Sequence, residues 1–311
     1  MNLAGPRALP KAQQARFKVS RRKPTIEWQV CGVCNYDCTY CIQSKQYRQG
    51  HPSPEEVETF LAFFRGLPGK WEVKCSGGEP FAFRDFTRRI VPGLIEDTPH
   101  TISTLTNLSA PLPVLLKFAE QTQGRLGIVS ASLHLEWTTP EEFVEKAVAL
   151  REAMDPKARF VVNEVLVPGR LDEIKRARDL VQAAGLRWFP QVLKTKHGRF
   201  DYEAEDQARV EALTGSDPTP RQANLAPSYL GQLCWTGVEY FVMTQQGEVW
   251  SCRTARRHGQ GFLGNALQGD VVLRGAPQPC AYKICPCTTP ANRGMIEGVR
   301  MESDLESASG E

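Results

Sequence analysis

The sequence predicts an α/β protein in which six strand–helix units form a parallel sheet covered by helices, followed by a small cysteine-rich extension. Short apolar or β-branched runs alternate with stretches of helical spacing between about residues 25 and 200. These runs are almost continuously apolar, which is typical of parallel strands that are buried on both faces. Nine of the ten cysteines fall into two groups, and the second group lies beyond the alternating region. The chain is therefore expected to contain one α/β core and one extension.

The alternation can be followed along the chain. The predicted strands cover residues 25–30, 71–75, 101–106, 127–133, 159–167 and 187–193. The spacing of apolar residues predicts helices at 54–67, 111–123, 139–154 and 171–184. Ser53 before Pro54 and Thr139 before Pro140 are typical of the first turn of a helix. Because reactive groups in such folds gather at the carboxyl ends of the strands, we expect the functional residues there.

Composition divides the chain into five predicted segments. A basic arm, 1–24, holds seven Lys and Arg residues and no acidic residue, and it precedes the core at 25–200. A linker helix and loop, 201–232, lead into an extension at 233–290 that contains a predicted β-hairpin. The last segment, 291–311, is acidic and is expected to be disordered. The arm is interpreted as a solvated segment, with contact to an acidic partner or an organelle transit peptide as alternatives.

Length and composition exclude several classes of protein. The chain has 311 residues, of which 41% are hydrophobic and 23% charged, as in ordinary soluble proteins. No stretch approaches the length of about 18 apolar residues that a membrane span needs, so no membrane association is expected. A formal net charge of +3 is too small to indicate nucleic-acid binding. Clustered cysteines without a secretory signal indicate metal ligands in a cytoplasmic protein.

A cysteine-rich loop directly follows the first predicted strand. Cys34, Cys38 and Cys41 form a C-x3-C-x2-C pattern on it. Thiolates at this spacing can ligate three corners of a [4Fe–4S] cube, and the motif contains no fourth ligand. The iron left without a protein ligand can bind a substrate or cofactor, as the open position of a catalytic zinc does. Zinc is the alternative metal, although its cysteines usually come as two facing pairs.

The loop and a second motif together resemble those of the radical S-adenosylmethionine (SAM) superfamily. Tyr40 directly precedes the last cysteine of the loop, and Gly77-Gly78-Glu79-Pro80 follows the second predicted strand. The resemblance implies a partial (β/α)6 TIM-like barrel with a small C-terminal iron–sulfur extension that contains the β-hairpin. It also implies that SAM binds the open iron of the [4Fe–4S] cluster. Reductive cleavage of SAM would then give methionine and a 5′-deoxyadenosyl radical, which abstracts a hydrogen atom from a substrate.

The Gly-Gly-Glu segment is expected to contact SAM. Gly77 and Gly78 lack a Cβ and allow the backbone to approach a ligand closely. The Glu79 carboxylate can accept hydrogen bonds from the ammonium group of SAM. The resemblance also implies cofactor contacts near the strand ends from Tyr40, Ile42, Thr106, Asn107, Ser132 and Asn163. Local capping or a strand-end turn is the alternative for the polar residues of this set.

Three residues are candidates for chemistry on the substrate. His134 and Glu136 follow the fourth strand and are expected to act as acid or base. A hydrogen-bonded residue of the barrel rim is the alternative role for His134. Cys75 ends the second strand, where its thiol is a candidate donor of a hydrogen atom to a substrate radical. The alternative for Cys75, and the interpretation of Cys31, is a small buried hydrophobic residue.

The second cysteine group comprises Cys234, Cys252, Cys280, Cys285 and Cys287. Cys234 and Cys252, with Gly247 between them, resemble the start of the Twitch and SPASM extensions of radical SAM enzymes. The resemblance implies an auxiliary [4Fe–4S] cluster of the smaller Twitch type, with two further ligands among the other three cysteines. The spare thiol is either unliganded or a donor of a proton or hydrogen atom. A structural zinc ribbon is the alternative for the whole group.

The resemblance implies an enzyme but leaves its substrate open. A peptide or a small polar metabolite is expected to be oxidised or cross-linked. A flavodoxin or ferredoxin is the expected reductant, and a separate leader-peptide-binding protein is a further candidate partner if the substrate is a peptide. Lys194 and Lys196 are candidates to attract a carboxylate or phosphate, with simple exposure as the alternative. The other functions considered are cofactor biosynthesis or nucleobase modification by a radical SAM enzyme, and a non-catalytic iron–sulfur or zinc-binding protein.

Overall fold

The described strands and helices follow the alternation that the sequence predicts. The computed structural model describes residues 22–43, 48–195, 198–215, 228–283, 285 and 289–299. The strands are β1 (Thr25–Cys31), β2 (Glu72–Gly77), β3 (Thr101–Thr106), β4 (Leu126–Leu133), β5 (Arg159–Leu166), β6 (Arg187–Val192), β7 (Lys194–Thr195), β8 (Gly198–Arg199), β9 (Leu233–Cys234), β10 (Tyr240–Met243), β11 (Glu248–Trp250), β12 (Phe262–Asn265) and β13 (Gln278–Pro279). The helices are α1 (Pro54–Gly66), α2 (Val91–Asp97), α3 (Leu112–Gln121), α4 (Pro140–Ala153), α5 (Leu171–Ala183), α6 (Ala204–Thr214), α7 (Arg253–Arg257) and α8 (Thr289–Asn292). Within these ranges, no helix is both long and apolar enough to cross a membrane.

Nine strands form one sheet in the order β12-β11-β10-β1-β2-β3-β4-β5-β6. Strands β1 to β6 are parallel to one another, which confirms the predicted α/β core with a mostly parallel sheet. Strand β10 pairs in parallel with β1, whereas β10, β11 and β12 form antiparallel pairs. The strands that follow the core in sequence therefore continue its sheet, and they bring residues of the extension to the edge of the core.

Local sequence signals explain where α1 begins. The Ser53 hydroxyl accepts from the backbone N–H of Glu56 at 3.2 Å, and the Glu56 carboxylate accepts from that of Ser53 at 2.7 Å. This reciprocal pair is a capping box, which satisfies two backbone donors at the start of α1. The apolar face of α1 then packs on β1, where the Trp28 ring lies 5.0 Å from that of Phe60 and 5.1 Å from that of Phe64.

Residues 291–299 pack against the core, in a part of the chain for which the sequence predicts a disordered tail. The Arg293 guanidinium donates to the buried Glu72 carboxylate at 2.7 and 2.9 Å, and Met295 and Ile296 are buried. Burial would raise the pKa of Glu72, but the nearby Arg293 holds that pKa below its usual value. Composition alone predicts disorder here, since it holds no information about the Glu72 carboxylate on a distant strand, which binds Arg293. The remaining predicted tail, 300–311, and the arm up to residue 21 lie outside the described residues.

Candidate active site

A cavity of about 410 Å³ opens at the carboxyl ends of the parallel strands. The loop after β1, the carboxyl ends of β2 to β4, residues of β5 and β6 and one side of α7 all contribute to its lining. Parallel strands place their carboxyl ends at one edge of the sheet, so positions far apart in sequence meet there. Most of the site residues that the sequence predicts for the core line this cavity.

Cys34, Cys38 and Cys41 line the cavity together. The loop turns sharply between the last two, because the backbone N–H of Cys41 donates to the Cys38 carbonyl at 3.1 Å. Burial, followed by the charge of Glu136 and of the other two thiols, raises the pKa of Cys38 to about 11. Neighbouring thiols that oppose one another's ionisation become thiolates when a metal binds them and displaces their protons. The loop therefore has the donor chemistry of a metal site.

The donor set fits an iron–sulfur cube better than a single metal ion. A [4Fe–4S] cube presents its irons at separate corners, so its thiolate ligands do not converge on one point. Structural zinc needs four ligands, and the cysteine motif offers three thiols. The loop thus fits a cube that keeps one iron open.

Polar contacts between three pairs of residues hold the cysteine loop in place. Arg48 forms an ion pair with Asp37 at 2.8 Å, and the Asn107 amide donates to the Asn35 side chain at 3.1 Å. The Glu136 carboxylate accepts from the Thr39 backbone N–H at 2.9 Å and also from the Thr39 hydroxyl. Glu136 was predicted as an acid or base, but it is not among the residues that line the cavity. Its observed contacts brace the loop from outside.

Gly77 and Gly78 let the end of β2 lie against the start of the cysteine loop. Gly77 has a φ of +145°, and a Cβ there would lie 2.2 Å from the Cys31 carbonyl oxygen. A Cβ on Gly78 would lie 2.0 Å from the Val33 carbonyl oxygen. The sequence predicts that these glycines leave space for a ligand, whereas in the structure the protein's own backbone lies against them. The Gly-Gly-Glu segment and the start of the cysteine loop are therefore in direct backbone contact.

Glu79 is buried and fixed by three donors. Its carboxylate accepts from the Thr106 hydroxyl at 2.8 Å, from the Asn107 backbone N–H at 2.6 Å and from the Phe81 backbone N–H at 3.1 Å. Burial raises the pKa of Glu79 to about 7, although these hydrogen bonds oppose the shift. Thr106 and Asn107, predicted as cofactor contacts, thus orient Glu79 as well as lining the cavity. A cationic ligand at this position would favour the ionised carboxylate.

His134 lines the cavity beside Tyr40. Its Nδ1 lies 2.8 Å from the Tyr40 hydroxyl, and the two rings stack with centroids 5.8 Å apart. Burial lowers the pKa of His134 to about 4, with a partly opposing effect of Glu136. The imidazole is therefore neutral near pH 7 and offers one hydrogen-bond donor and one acceptor.

The other predicted site residues of the core fall into two groups. Ser132 and the exposed side chain of Ile42 line the cavity. Asn163 does not line it; its amide donates to Ser130 at 2.6 Å and accepts from Gln191 at 3.2 Å, and Gln191 lies in the lining. A side chain in the middle of a strand bonds to its cross-strand neighbours, which explains why Asn163 stays within the sheet.

Cys75 is fully buried and does not line the cavity. Burial, and then the neighbouring thiol of Cys31, raises its pKa. Cys75 follows the alternative given above, that of a small buried hydrophobic residue, and its proposed role as a hydrogen-atom donor has no support from its position.

Several lining residues were missed by sequence reasoning. The Gln43 amide donates to the Gly77 carbonyl at 2.6 Å, while its buried Oε1 has no partner among the described residues. Lys74, Arg253 and Arg257 also line the cavity, as does the predicted Lys194. Lys196 lies outside the described residues. These positions belong to no sequence motif. The one sequence feature that could have indicated a site residue is that Arg253 directly follows Cys252, a predicted cluster ligand.

A second cavity, of about 240 Å³, is lined by Cys234, Cys252, Cys280 and Cys285. The Cys252 sulfur caps α7 by accepting from the Ala255 backbone N–H at 3.3 Å. Pairing of β9 with β13 brings the segments of Cys234 and Cys280 together. Cys287, the remaining cysteine of this group, lies outside the described residues. Thr254, on α7, lines both cavities.

The fold is α/β with a mostly parallel sheet, consistent with a partial barrel, and the three-cysteine loop and the Gly-Gly-Glu segment lie beside one cavity at the strand ends. Residues 28–181 match the family model of the radical SAM superfamily. The chain therefore contains a radical SAM superfamily domain, in agreement with the resemblance seen in its motifs.

Comparison with individual proteins finds similarity to enzymes named GTP 3′,8-cyclase. GTP 3′,8-cyclase of Shewanella denitrificans is 33% identical over 109 residues, which are 33% of this chain and 32% of that protein. The enzyme of the same name from Aeromonas hydrophila is 26% identical over 176 residues, 54% of this chain and 44% of the relative. The chain thus spans less than half the length of either curated relative.

Solved structures share the fold at low sequence identity. SuiB of Streptococcus suis bound to precursor peptide SuiA superposes with a TM-score of 0.58 at 14% identity, covering 83% of this chain and 66% of that one. The structure of anSMEcpe with bound AdoMet and Cp18Cys peptide has a TM-score of 0.55 at 14% identity, covering 78% of each chain. At this identity the likeness establishes the fold alone.

Proposed function

We propose that this chain is a radical SAM enzyme that oxidises or cross-links a peptide or a small polar metabolite. The observation that carries the proposal is that Cys34, Cys38, Cys41 and Glu79 line one cavity at the strand ends. When bound, a [4Fe–4S] cluster and SAM supply a 5′-deoxyadenosyl radical, which abstracts a hydrogen atom from the substrate. The three thiols would hold the cluster, and the protein would position SAM and the substrate next to it.

Glu79 is the proposed anchor of SAM. Its three protein donors fix the carboxylate, and a carboxylate has room for about four hydrogen bonds, which leaves capacity for the ammonium group of SAM. Gln43 supports the same assignment, because its buried Oε1 has no partner among the described residues and can accept from an N–H of the ligand. Tyr40 and Ile42 are proposed to border the adenine, and Ser132 to contact the ribose or carboxylate.

His134 is the proposed polar contact to the substrate. Tyr40 occupies its Nδ1, which leaves Nε2 for a substrate group. Because burial keeps the imidazole neutral, that nitrogen serves as a hydrogen-bonding group for most of the pH range in which proteins are stable. Glu136 is proposed to hold the cysteine loop, because its carboxylate accepts from the backbone N–H and the hydroxyl of Thr39.

The second cavity is proposed to hold an auxiliary [4Fe–4S] cluster on Cys234, Cys252, Cys280 and Cys285. Four thiols on one cavity match the ligand number of a closed cube. An auxiliary cluster would accept the electron that remains on an oxidised substrate. Thr254 lines both cavities, so the two sites adjoin at α7.

Replacing Cys252 with alanine is expected to lower the iron content of reconstituted protein from about eight to about four per chain, because one cube loses a ligand. Iron and sulfide analysis after anaerobic reconstitution measures this change. Cys75→Ala is the matched control, since this thiol is buried and lines neither cavity, and it should keep about eight irons. A wild-type protein that binds zinc in place of the second cluster would contradict the assignment.

A second candidate function is the construction of a cofactor from a nucleotide by a radical mechanism. The observation that favours it is the similarity to two enzymes named GTP 3′,8-cyclase.

The proposal also includes a flavodoxin or ferredoxin as reductant, a separate leader-peptide-binding protein and a cytoplasmic location. A reducing compartment would keep thiols available to iron.

Electron paramagnetic resonance tests the proposal on the whole protein. After anaerobic reconstitution and reduction with dithionite, the spectrum is expected to change when SAM is added, because SAM would bind the open iron directly. The variant with Cys34, Cys38 and Cys41 replaced should retain only the signal of the second cluster, without response to SAM. A reduced wild-type spectrum that SAM leaves unchanged would favour a non-catalytic iron–sulfur protein.

A further inference from the structure

The active-site cavity has an excess of positive charge. Its lining includes five Lys or Arg residues and two Glu residues, namely Arg48, Lys74, Lys194, Arg253 and Arg257 against Glu27 and Glu79. Glu79 is assigned above to the ammonium group of SAM. Arg48 pairs with Asp37 at the cysteine loop. The other cations of the lining are Lys194, Lys74 on β2, and Arg253 and Arg257 on α7.

Lys74 and Arg253 share one carboxylate. Glu27 is buried on β1 and accepts from Arg253 at 2.5 Å, while Lys74 lies 3.5 Å away. The hydroxyls of Tyr240 and Thr289 also donate to Glu27, at 2.9 and 2.6 Å. Burial would raise the pKa of Glu27, but Arg253 and Lys74 hold it far below its usual range, so the carboxylate is ionised. Two cations against one anion leave a net positive charge facing the cavity.

Two residues on α7 carry hydrogen-bond donors that have no partner within the described residues. Arg257 lies one helical turn after Arg253, lines the same cavity and forms no ion pair or side-chain hydrogen bond within the described residues. Thr254 lies between them; its side chain is buried, and its hydroxyl has no partner within the described residues. A buried hydroxyl without a partner is rare, because it costs free energy that a bound ligand can restore.

We propose that Arg257, Thr254 and the Lys74–Arg253 pair form a subsite for an oxyanion of the substrate, a phosphate or a carboxylate group. This inference rests on the proposed function and names the chemistry of its substrate. Guanidinium groups and hydroxyls donate strong charge-assisted hydrogen bonds to such oxygens. Because Thr254 lines both cavities, an anion bound here anchors the substrate between the two cysteine sites.

The test uses wild-type protein, Arg257→Gln and Thr254→Val after anaerobic reconstitution. Arg256→Gln is the matched control, since it removes the same charge from the same helix; Arg256 donates to Gln29 at 3.0 Å and does not line the cavity. Isothermal titration calorimetry at constant ionic strength and saturating SAM measures binding of inorganic phosphate and, separately, of succinate. SAM affinity and 5′-deoxyadenosine formation are measured on the same samples.

We expect at least one probe to bind the wild-type protein, with a Kd on the order of 1 mM. Arg257→Gln should weaken this binding roughly tenfold or more, as loss of a hydrogen bond to a charged group does. Thr254→Val should weaken it by a smaller factor, and Arg256→Gln should leave both binding and SAM cleavage unchanged. The probe that binds more tightly identifies the substrate's anionic group as phosphate or carboxylate.

Three results would overturn the inference. They are no binding of either probe, an equal loss in Arg257→Gln and Arg256→Gln, or competition between the probe and SAM, which would assign the cations to the carboxylate of SAM. Failure of the proposed function is separate, because it would appear as absent SAM cleavage in the wild-type protein whatever the anion titrations show.

Discussion

A variant in which Cys34, Cys38 and Cys41 are all replaced by alanine is expected to lose SAM cleavage completely. The iron that would bind SAM is held in place only when these three thiolates carry the cube, so the loss should be total. Chromatography of 5′-deoxyadenosine after anaerobic incubation with SAM and dithionite measures the effect. The iron content should fall by about four per chain, which leaves the second cluster intact.

The control for this variant is Cys75→Ala. Its thiol lies on β2 but is buried away from the cavity, so both clusters and SAM cleavage should persist. Undiminished cleavage in the triple variant would show that the loop is not the cluster site. Loss of all iron from that variant would contradict the assignment of two independent clusters.

Replacing Glu79 with glutamine is expected to weaken SAM binding roughly ten- to a hundredfold. A hydrogen bond to a charged group contributes about 1.5–3 kcal/mol, and the amide lacks the charge that attracts the ammonium group. The new NH₂ group would also face the donors that hold Glu79, including the Asn107 backbone N–H. Equilibrium dialysis of SAM against reconstituted protein measures the dissociation constant.

Thr106→Val provides a graded comparison. It keeps the Glu79 carboxylate but removes one of its three donors, so SAM affinity should fall by only a few-fold, as for a single hydrogen bond worth about 1 kcal/mol. Near-ultraviolet circular dichroism of both variants checks that the fold is retained. Wild-type affinity in a folded Glu79→Gln protein would remove Glu79 from the SAM site.

The core of the fold follows from local patterns in the sequence. Apolar strands, helical spacing and caps such as Ser53 are properties of short segments, and the described elements agree with them. The parallel pairing of β10 with β1 joins segments about 200 residues apart and has no local signal. The same limit applies to Arg293, whose partner Glu72 lies on a distant strand.

The site was predictable where function imposes a residue type at a fixed spacing. The three cysteines and Glu79 belong to motifs, and the structure brings them to one cavity. Thr254 and Arg257 belong to no motif, and their place at the cavity depends on how β10 and β11 add to the core sheet. Glu136 and Cys75 lie outside the cavity lining, because chemistry-bearing residues near strand ends can equally brace a loop or fill the core.

The most direct test of the account is one anaerobic experiment on the wild-type chain. The protein is reconstituted with iron and sulfide, iron and sulfide are counted, and SAM with dithionite is added to look for 5′-deoxyadenosine. The account predicts about eight irons per chain and formation of 5′-deoxyadenosine. Folded protein that binds no iron–sulfur cluster and cleaves no SAM would contradict it.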